Sequence, residues 1–383
     1  MKPKIIDRFV IFVRPLFRRG RGSLVAGITI VAAFYMMCIF ADFLAPYDYR
    51  EISLGEPLAP PARIRFRDEE GRWRTRPFFH PQRLVDPLER RYEENPQRSY
   101  SLELFTSGYC YKIFGLTADR HLFGVGKGDD GKTARVHLLG TDVLGRDRLS
   151  RLLLASRFSL LVGPLSTLIA CVIGILIGCT AGYGRGRIDA VLMRIADTMM
   201  AFPTLVLILA ARAAFPLELP PWRAATLLIT IFVALGWAEM ARLTRGLVME
   251  LRERDFVLAA ISLGLSPARV LWRHILPNAR RPLTVNALLM LPTFLLAEMA
   301  LSFFGVGVQE PEASWGNILT AASEITLLER GHALILVAPA FAIMLFMIGV
   351  RLLSNGLDRD LFQDQFKDKE IATFHRPQLA PRE

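Results

Sequence analysis

The sequence predicts an all-α membrane protein with six transmembrane helices and a small, β-rich insert outside the membrane. Apolar residues make up 52% of the 383 residues, while 47 Lys and Arg against 36 Asp and Glu leave a formal net charge of +11. The apolar residues are gathered into long runs that Arg-rich stretches separate, and the mean hydropathy is +0.32. This segregation excludes a disordered chain, and a nucleic-acid-binding protein has no need of repeated uncharged runs of about 20 residues.

Each membrane-spanning helix is predicted from a run of about 18 or more mostly uncharged apolar residues. Six runs meet this criterion: Leu24–Leu44, Phe158–Ala181, Val191–Ala211, Ala224–Ala241, Leu283–Phe304 and Leu334–Leu353. The first run is longer than the apolar part of a usual signal peptide and no small-residue cleavage site follows it, so we interpret it as an uncleaved anchor. The chain then divides into a tail at 1–23, the first span at 24–44, an insert at 46–136, a membrane core at 137–354 and a second tail at 355–383.

Basic residues predict which ends of the spans face the cytoplasm. The tail before Leu24 carries seven Lys and Arg against one acid, and the segment between the fourth and fifth runs carries eight Arg. Because cytoplasmic loops are enriched in Lys and Arg, we expect both segments and both termini in the cytoplasm. The insert is then expected on the opposite, extracytoplasmic side.

The insert carries a secondary-structure signal of its own. Arg63–Arg67 and Arg72–Arg76 each alternate charged and uncharged residues, and the stretch between them has the acidic, Gly-containing composition of a turn. This pattern predicts a β-hairpin. Alternating Arg residues also fit a basic binding face, but cross-strand ion pairs and solvated surface are the commoner reason for such a pattern.

Three patterns that could be read as chemical sites are interpreted as structural. Residues 126–133 match the phosphate-binding pattern G-x-x-x-x-G-K-[ST], but no helix follows to direct backbone N–H groups at a phosphate, so a surface turn is predicted. His137, Asp142 and Asp147 could be taken for a metal site, but they lie in turn and cap signals at the head of the second span. Cys110 alone lies outside the apolar runs, so we expect neither a disulfide framework nor a thiolate zinc site. No catalytic residue, cofactor or metal is predicted in this chain.

The segment at 255–278, between the fourth and fifth spans, predicts two short helices at an angle. We expect Asp255 to cap the first helix and Gly264 to end it in the left-handed conformation. Ser266 and Pro267 are expected to begin the second helix, and Pro277 to end it. Four residues of the first helix share one face and form a small-residue ridge: Phe256, Ala259, Ala260 and Leu263. This pattern fits two roles, a ridge that enters a groove of a partner protein or a helix pair that lies on lipid.

Motifs along the chain decide between these roles, because together they resemble one protein family. Ala259, Ala260, Gly264 and the stretch from Ile275 to Asn278 have the spacing of the "EAA" loop of ABC-importer permeases. With His274 before that stretch, the segment is similar to the dipeptide, oligopeptide and nickel branch. Three further regions look like that branch: His137–Asp147, Leu301–Gly307 with Ser314–Gly316, and Asn355–Asp358. Two departures are visible, since Leu258 stands where the family has Glu and the insert, about 90 residues long, is larger than usual.

The resemblance implies a six-span permease of the C type that forms one half of a heterodimeric pore. Its implied partners are a second permease, two cytoplasmic ATP-binding subunits, an extracytoplasmic solute-binding protein and the lipid bilayer, with ATP bound on the ATPases rather than on this chain. The EAA loop would dock into an ATPase, so the residues expected to couple the two are Asp255, Ala259, Ala260, Gly264, Ser266, Pro267, Leu276 and Pro277. The expected cargo is peptides or similar small solutes, imported by alternating access.

Two other classes of protein fit parts of the sequence. A membrane-anchored extracytoplasmic binding or sensor protein would use the insert but leaves the segment at 255–278 without a role. An ion-coupled secondary transporter would need ionisable groups at membrane depth. Glu298, about 15 residues into the fifth span, is a candidate for the solute path, and it could instead hydrogen-bond a neighbouring helix. Arg194 and Asp197, three residues apart in the third span, are expected to pair.

Overall fold

The computed structural model describes residues 22–67, 71–88, 90–126, 134–216, 218–322 and 333–374. Most of this part of the chain is helical. In chain order the helices are α1 (Gly22–Ile39), α2 (Ala41–Leu44), α3 (Arg148–Gly184), α4 (Gly186–Ala201), α5 (Thr204–Ala213), α6 (Pro221–Arg252), α7 (Asp255–Ser262), α8 (Pro267–Val270), α9 (Leu276–Phe303), α10 (Trp315–Ala322) and α11 (Ala333–Phe374). A π-helical turn at Leu271–Ile275 joins α8 to α9.

Five of the six predicted spans are single long helices, and the third is broken into two. Within the described ranges, α1, α3, α6, the α8–α9 rod and α11 are each long and apolar enough to cross a membrane. The third predicted span is a pair of helices, α4 and α5, bent by 88°. Phe202 between them is extended, with φ of −96° and ψ of 145°. The bend follows from Pro203, which lacks an N–H and disfavours helical geometry at the residue before it.

The two most extensive helix–helix contacts of the bundle join α3 to α6 and α1 to α11. Along α3, Gly174, Gly178 and Gly182 recur every fourth residue and face α6. A Cβ added to them would lie 2.7, 2.5 and 2.8 Å from carbonyl oxygens of that helix. Only glycine permits so close an approach of two backbones, which is a common way of packing helices in membranes.

Aromatic packing joins the first and last spans to α10. The ring of Phe34 on α1 makes edge-to-face contacts with Trp315 and Phe346, at centroid distances of 5.9 and 5.4 Å. Trp315 is fully buried, and its indole N–H donates to the carbonyl oxygen of Leu152 on α3 at 3.2 Å. The short helix α10 is therefore a wedge between α1, α3 and α11.

The polar contacts of α4 differ from the predicted pair within that helix. Asp197 contacts Arg242 of α6 rather than Arg194. About two turns nearer the start of α4, Arg245 of α6 donates to both carboxylate oxygens of Asp189, at 2.5 and 2.7 Å. The expected pairing was wrong because α6 runs alongside α4 and offers arginines that reach these carboxylates directly. Two ion pairs thus fasten α4 to α6.

The insert is β-rich, as predicted. Four strands form an antiparallel sheet in the order β1 (Arg65–Arg67), β2 (Trp73–Phe79), β5 (Tyr100–Ile113) and β6 (Leu116–Val125), and β3 (Gln82–Asp86) pairs with β4 (Arg91–Glu94). The predicted hairpin is β1 with β2, in which Arg67 lies opposite Trp73. Arg65 pairs with Glu94 of β4, and Arg67 stacks on the ring of Trp73. Arg65 and Arg67 of this hairpin therefore make an inter-sheet contact and a cross-strand contact, respectively.

The β5–β6 hairpin closes through Phe114 and Gly115, whose φ angles are +48° and +84°. Ile113 lies opposite Leu116 across the turn. A left-handed conformation costs a non-glycine residue about 1–2 kcal/mol. Asn or Asp usually occupies the first position of such a turn because its short polar side chain reduces that cost. Phe114 has no such compensation within the hairpin.

Candidate functional site

The segment between α6 and α9 begins with the short helix α7. Gly264 ends α7 with a φ of +78°, as predicted. Its N–H donates to the carbonyl oxygen of Ile261 at 2.9 Å, and the N–H of Leu265 donates to that of Ala260 at 3.2 Å. This pair of bonds is the Schellman arrangement, which requires a left-handed residue at the position of Gly264. The backbone leaves α7 there and leads into α8.

Two of the predicted helix boundaries in this segment are wrong. Asp255 does not cap α7, because the helix begins at Asp255 itself and Arg254 occupies the cap position without a side-chain bond. Pro277 does not end the second helix. The π-helical turn after α8 continues into α9, and Pro277 is the second residue of α9. Ser266 and Pro267 do begin α8, although the Ser266 side chain makes no capping bond.

One face of α7 is buried against the membrane helices. Val257 is fully buried and packs with Cys179 of α3, Val248 of α6 and Ile275 of the π-helical turn. Ala260 lies on this same buried face and is 5% exposed. The expectation that Ala260 belongs to an exposed ridge is therefore wrong. The spacing along the sequence places Ala259 and Ala260 on one side of the helix, but it does not show which of the two packs against the membrane helices.

The adjacent face of α7 is exposed and apolar. Phe256, Ala259 and Leu263 are exposed, and they follow the spacing i, i+3 and i+7 along one side of the helix. Leu263 is 81% exposed. Leu258, which replaces the expected Glu, is also exposed. We call Phe256, Ala259 and Leu263 the α7 ridge.

A contact that the sequence analysis missed lies beside this segment. A cleft of about 580 Å³ opens between α6, α9 and α11. At its rim, the guanidinium of Arg281 on α9 lies 2.9 Å from the carboxylate of Asp358 on α11. Asp358 is the last residue of the Asn355–Asp358 motif. The sequence therefore indicated the motif, but not that Asp358 pairs with Arg281. Gly356 of the same motif faces Leu24 of α1, where a Cβ would lie 2.5 Å from the backbone.

Glu298 lies on α9 and is fully buried within this chain. The hydroxyl of Ser302, one turn further along α9, donates to its Oε1 at 2.9 Å. This bond lies within α9, so it does not test the predicted hydrogen bond from Glu298 to a neighbouring helix. A contact between Glu298 and a solute also stays a prediction.

At the head of α3, two acidic side chains act as the turn and cap signals predicted. Asp147 caps α3 by accepting a hydrogen bond from the backbone N–H of Ser150 at 2.8 Å. Asp142 accepts from the backbone N–H groups of Leu144 and Arg146, each at 2.9 Å. Both carboxylates therefore satisfy local backbone donors.

His137 belongs to the same cluster. Its Nδ1 lies 2.8 Å from Asp147 and its Nε2 lies 3.3 Å from Glu56 of the insert. Burial opposes the charge on the ring, but the hydrogen bonds and charges of the two carboxylates outweigh it and raise the pKa of His137 to about 9. The charged imidazole thus links the insert to the head of α3.

Glu310, in the loop after α9, closes this cluster from the other side. It lies 2.5 Å from the guanidinium of Arg146 and 2.8 Å from that of Arg151. Burial works against the charge, and the two arginines more than offset it and hold the pKa of Glu310 below its ordinary value.

Residues 127–133 of the phosphate-loop pattern lie outside the described residues. Among those described, no group of three or more His, Cys, Asp or Glu is arranged to hold a metal.

Two family profiles match the sequence. Residues 174–363 match a family described as the binding-protein-dependent transport system inner membrane component. Residues 17–61 match the N-terminal transmembrane domain of oligopeptide transport permease C. The matched ranges include the α7 ridge and the first span, but most of the insert lies between them.

The sequence also matches named transport permeases. The oligopeptide transport system permease protein OppC of Bacillus subtilis is 35% identical over 60% of this chain and 72% of its own length. The di/tripeptide transport system permease protein DppC of Pseudomonas aeruginosa is 37% identical over 60% of this chain and 73% of its own length. A chain of the MetNI methionine ABC transporter in an inward-facing conformation has a TM-score of 0.40 at 17% identity, over 52% of this chain and 93% of its own.

The two family profiles and the OppC and DppC relatives favour a transport permease over the sensor and ion-coupled alternatives. The relatives are matched over more than two thirds of their length at identities above 30%. The chain therefore belongs to the family of ABC-importer inner-membrane permeases, in the branch of the oligopeptide and dipeptide permease C proteins.

Proposed function

We propose that this chain is one half of the membrane pore of an ATP-driven peptide importer. It pairs with a second permease and works with two cytoplasmic ATPases and an extracytoplasmic solute-binding protein. It binds no ATP itself, and it lies in the inner membrane with both termini in the cytoplasm. The names of its relatives support the peptide cargo, since they are oligopeptide and di/tripeptide permeases.

The observation that carries this proposal is the α7 ridge. An exposed apolar face on a short helix outside the membrane costs solvation free energy unless a partner covers it. The residues of the ridge are Phe256, Ala259 and Leu263, and the small Ala259 between two large side chains leaves a notch that suits an interdigitating surface. We assign this face to the groove of an ATPase subunit.

The attachment of α7 supports a mechanical role. Val257 is buried against α3 and α6, and the segment runs from α8 into α9 without a break. A displacement of α7 by its ATPase would therefore act on three spans at once. Closure of the two ATPases around ATP would rock these spans and change the side to which the solute path opens.

The coupling role is tested by overpacking the ridge. Ala259→Trp places a large ring in the notch without touching the buried face, so we expect the chain to insert and pair with its partner permease. ATPase co-purification and peptide-stimulated ATP hydrolysis should both fall about tenfold or more, which is what a loss of about 1.4 kcal/mol or more in docking would produce. Ala260→Trp is unsuitable, because Ala260 is 5% exposed and a ring there would disrupt the chain itself.

The matched control is Ala190→Trp, which changes an exposed alanine on α4. It should leave ATPase binding and hydrolysis at the level of the unmodified complex. Normal transport by the Ala259→Trp complex with its ATPases bound would reject the docking role of the ridge. Equal losses in both variants would also reject it.

A further inference from the structure

The tip of the β5–β6 hairpin carries large apolar side chains in a turn that is exposed within this chain. Phe114 is 83% exposed and Leu116 is 73% exposed. Turns that face water are normally built from polar residues and glycine. Phe114 also holds the left-handed position of the turn, which suits Asn or Asp better. The exposure of these two side chains is unfavourable in water and becomes favourable when an apolar environment covers the tip.

Contacts with α2 fix the height of this hairpin relative to the membrane. The ring of Phe105 on β5 lies 6.2 Å from that of Phe43 on α2. His121 Nδ1 lies 2.9 Å from the carbonyl oxygen of Asp42, and the Tyr109 hydroxyl donates to the same oxygen at 3.4 Å. Helix α2 follows the first span directly, since α1 ends at Ile39. The middle of the hairpin therefore rests at the level where the apolar span ends.

The course of β5 leads from the core of the insert toward the first span. The strand begins at Tyr100, which packs in the core of the insert with Phe79 and Val136. It then passes Phe43 and Asp42 and continues to the turn, about 16 Å beyond Tyr109 at the usual rise of a strand. Asp42 pairs with Arg157 of α3, which lies well inside that helix, so β5 runs from the head of α3 toward the membrane. Continued in that direction, the strand brings the tip alongside the first span.

Lipid is the partner that the surface of the first span indicates. Helix α1 packs chiefly on α11, with smaller contacts on α3 and α2, and its exposed side carries Ile28, Met36 and Ile39. This apolar side is at membrane depth, and the Phe43–Phe105 contact continues it onto the hairpin. Lys112, two residues before Phe114, is exposed beside the tip. An aromatic ring with a neighbouring Lys is the combination that suits the boundary between acyl chains and phosphate groups.

We propose that the hairpin tip at 112–116 is a membrane-interface anchor. Phe114 and Leu116 enter the acyl boundary of the leaflet on the side of the insert, and Lys112 lies among the phosphates. The tip gives the insert an attachment to the bilayer in addition to its contacts with α2 and the head of α3. This role needs only that the chain spans a membrane, so it stands independently of the transported solute and of the ATPases.

Photo-crosslinking in native membranes identifies what covers the tip. p-Benzoylphenylalanine is placed at position 114 or 116 of the full chain, with all partner subunits present. The matched control is position 88, where Leu88 is 94% exposed in the β3–β4 turn. We expect phospholipid adducts at 114 and 116, detected by mass spectrometry, at a yield at least tenfold above that at 88. Adducts to another protein, or lipid adducts no more frequent than at 88, would overturn the proposal.

A second variant separates lipid contact from formation of the turn. Phe114→Asn supplies a residue that the left-handed position accepts, so the hairpin should form as well as before. With the crosslinker at position 116, this change should lower the lipid adduct at least fivefold, because the ring that draws the tip into the acyl boundary is gone. An unchanged adduct yield would show that the ring of Phe114 does not anchor the tip.

Discussion

His137 is a buried, charged side chain whose stabilising contribution should depend on pH. Its ring lies between Asp147 of α3 and Glu56 of the insert, and its pKa is raised to about 9. In the unfolded chain a histidine has a pKa of about 6.5. Since the folded value is the higher one, the contribution is complete below pH about 6.5 and is lost as the pH rises toward 9. At about 1.4 kcal/mol per pKa unit, the full effect is roughly 3 kcal/mol.

Thermal unfolding of the purified chain between pH 6 and 9.5 measures this effect, with His137→Gln as the control. Glutamine keeps a hydrogen-bond donor but does not titrate in this range. We expect the unmodified chain to lose stability steeply above pH 7, while His137→Gln starts lower and changes little. Equal slopes in the two chains would mean that His137 does not carry the charge assigned to it.

Single residues were predicted well where the signal is local and poorly where it depends on packing. Gly264 and Asp147 act through their own backbone and their next few neighbours, so the sequence alone indicates a left-handed end and a helix cap. Ala259 and Ala260 are adjacent and chemically identical, yet one is exposed and the other buried. Only the position of α7 over Cys179 and Val248 decides between them, and no local pattern contains that information.

At the scale of elements, the contact between α4 and α6 offers two ion pairs with different surroundings. Arg245 makes a two-point contact with Asp189, and both side chains are partly shielded, at 33% and 13% exposure. Arg242 and Asp197 are more than half exposed. Shielding and two-point geometry strengthen an ion pair, whereas solvent screens an exposed pair to about 0–1 kcal/mol.

Double-mutant cycles compare these two pairs directly, with alanine at each position. We expect a coupling free energy of about 1–3 kcal/mol for Asp189 with Arg245, and less than about 1 kcal/mol for Asp197 with Arg242. Unfolding of the purified chain by denaturant supplies the free energies. A weaker coupling for the Asp189 pair than for the Asp197 pair would contradict its role in holding α4 on α6.

The shapes of elements were less predictable than their existence. Runs of apolar residues indicate that a segment crosses the membrane, because that depends on composition and length alone. They do not reveal the 88° bend at Pro203, since proline is tolerated inside membrane helices as well as between them. Pro277 is the converse case: it was expected to end a helix, and it lies in the first turn of α9.

At the scale of the whole molecule, the insert and the α7 ridge mark opposite ends of the bundle. The insert follows α2 at the end of the first span and precedes the head of α3, whereas α7 lies between the end of α6 and the start of α9. The first span and α3 then carry the chain between these ends. Which end faces the cytoplasm rests on the eight arginines of the segment between the fourth and fifth spans and on the basic tail before the first.

Labelling with a membrane-impermeant maleimide tests this orientation in intact spheroplasts. Of the four cysteines, Cys110 is exposed in the insert, while Cys171 and Cys179 are buried within α3 and Cys38 lies in α1. The unmodified chain should therefore be labelled at Cys110 from the outside. In a Cys110→Ser background, Thr75→Cys should restore labelling and Ser262→Cys should not, although both positions are exposed on the protein. After permeabilisation Ser262→Cys should react as well, because the bilayer was its barrier. The opposite pattern, with Ser262→Cys labelled in intact spheroplasts and Thr75→Cys only after permeabilisation, would place the α7 ridge outside, where no cytoplasmic ATPase could reach it.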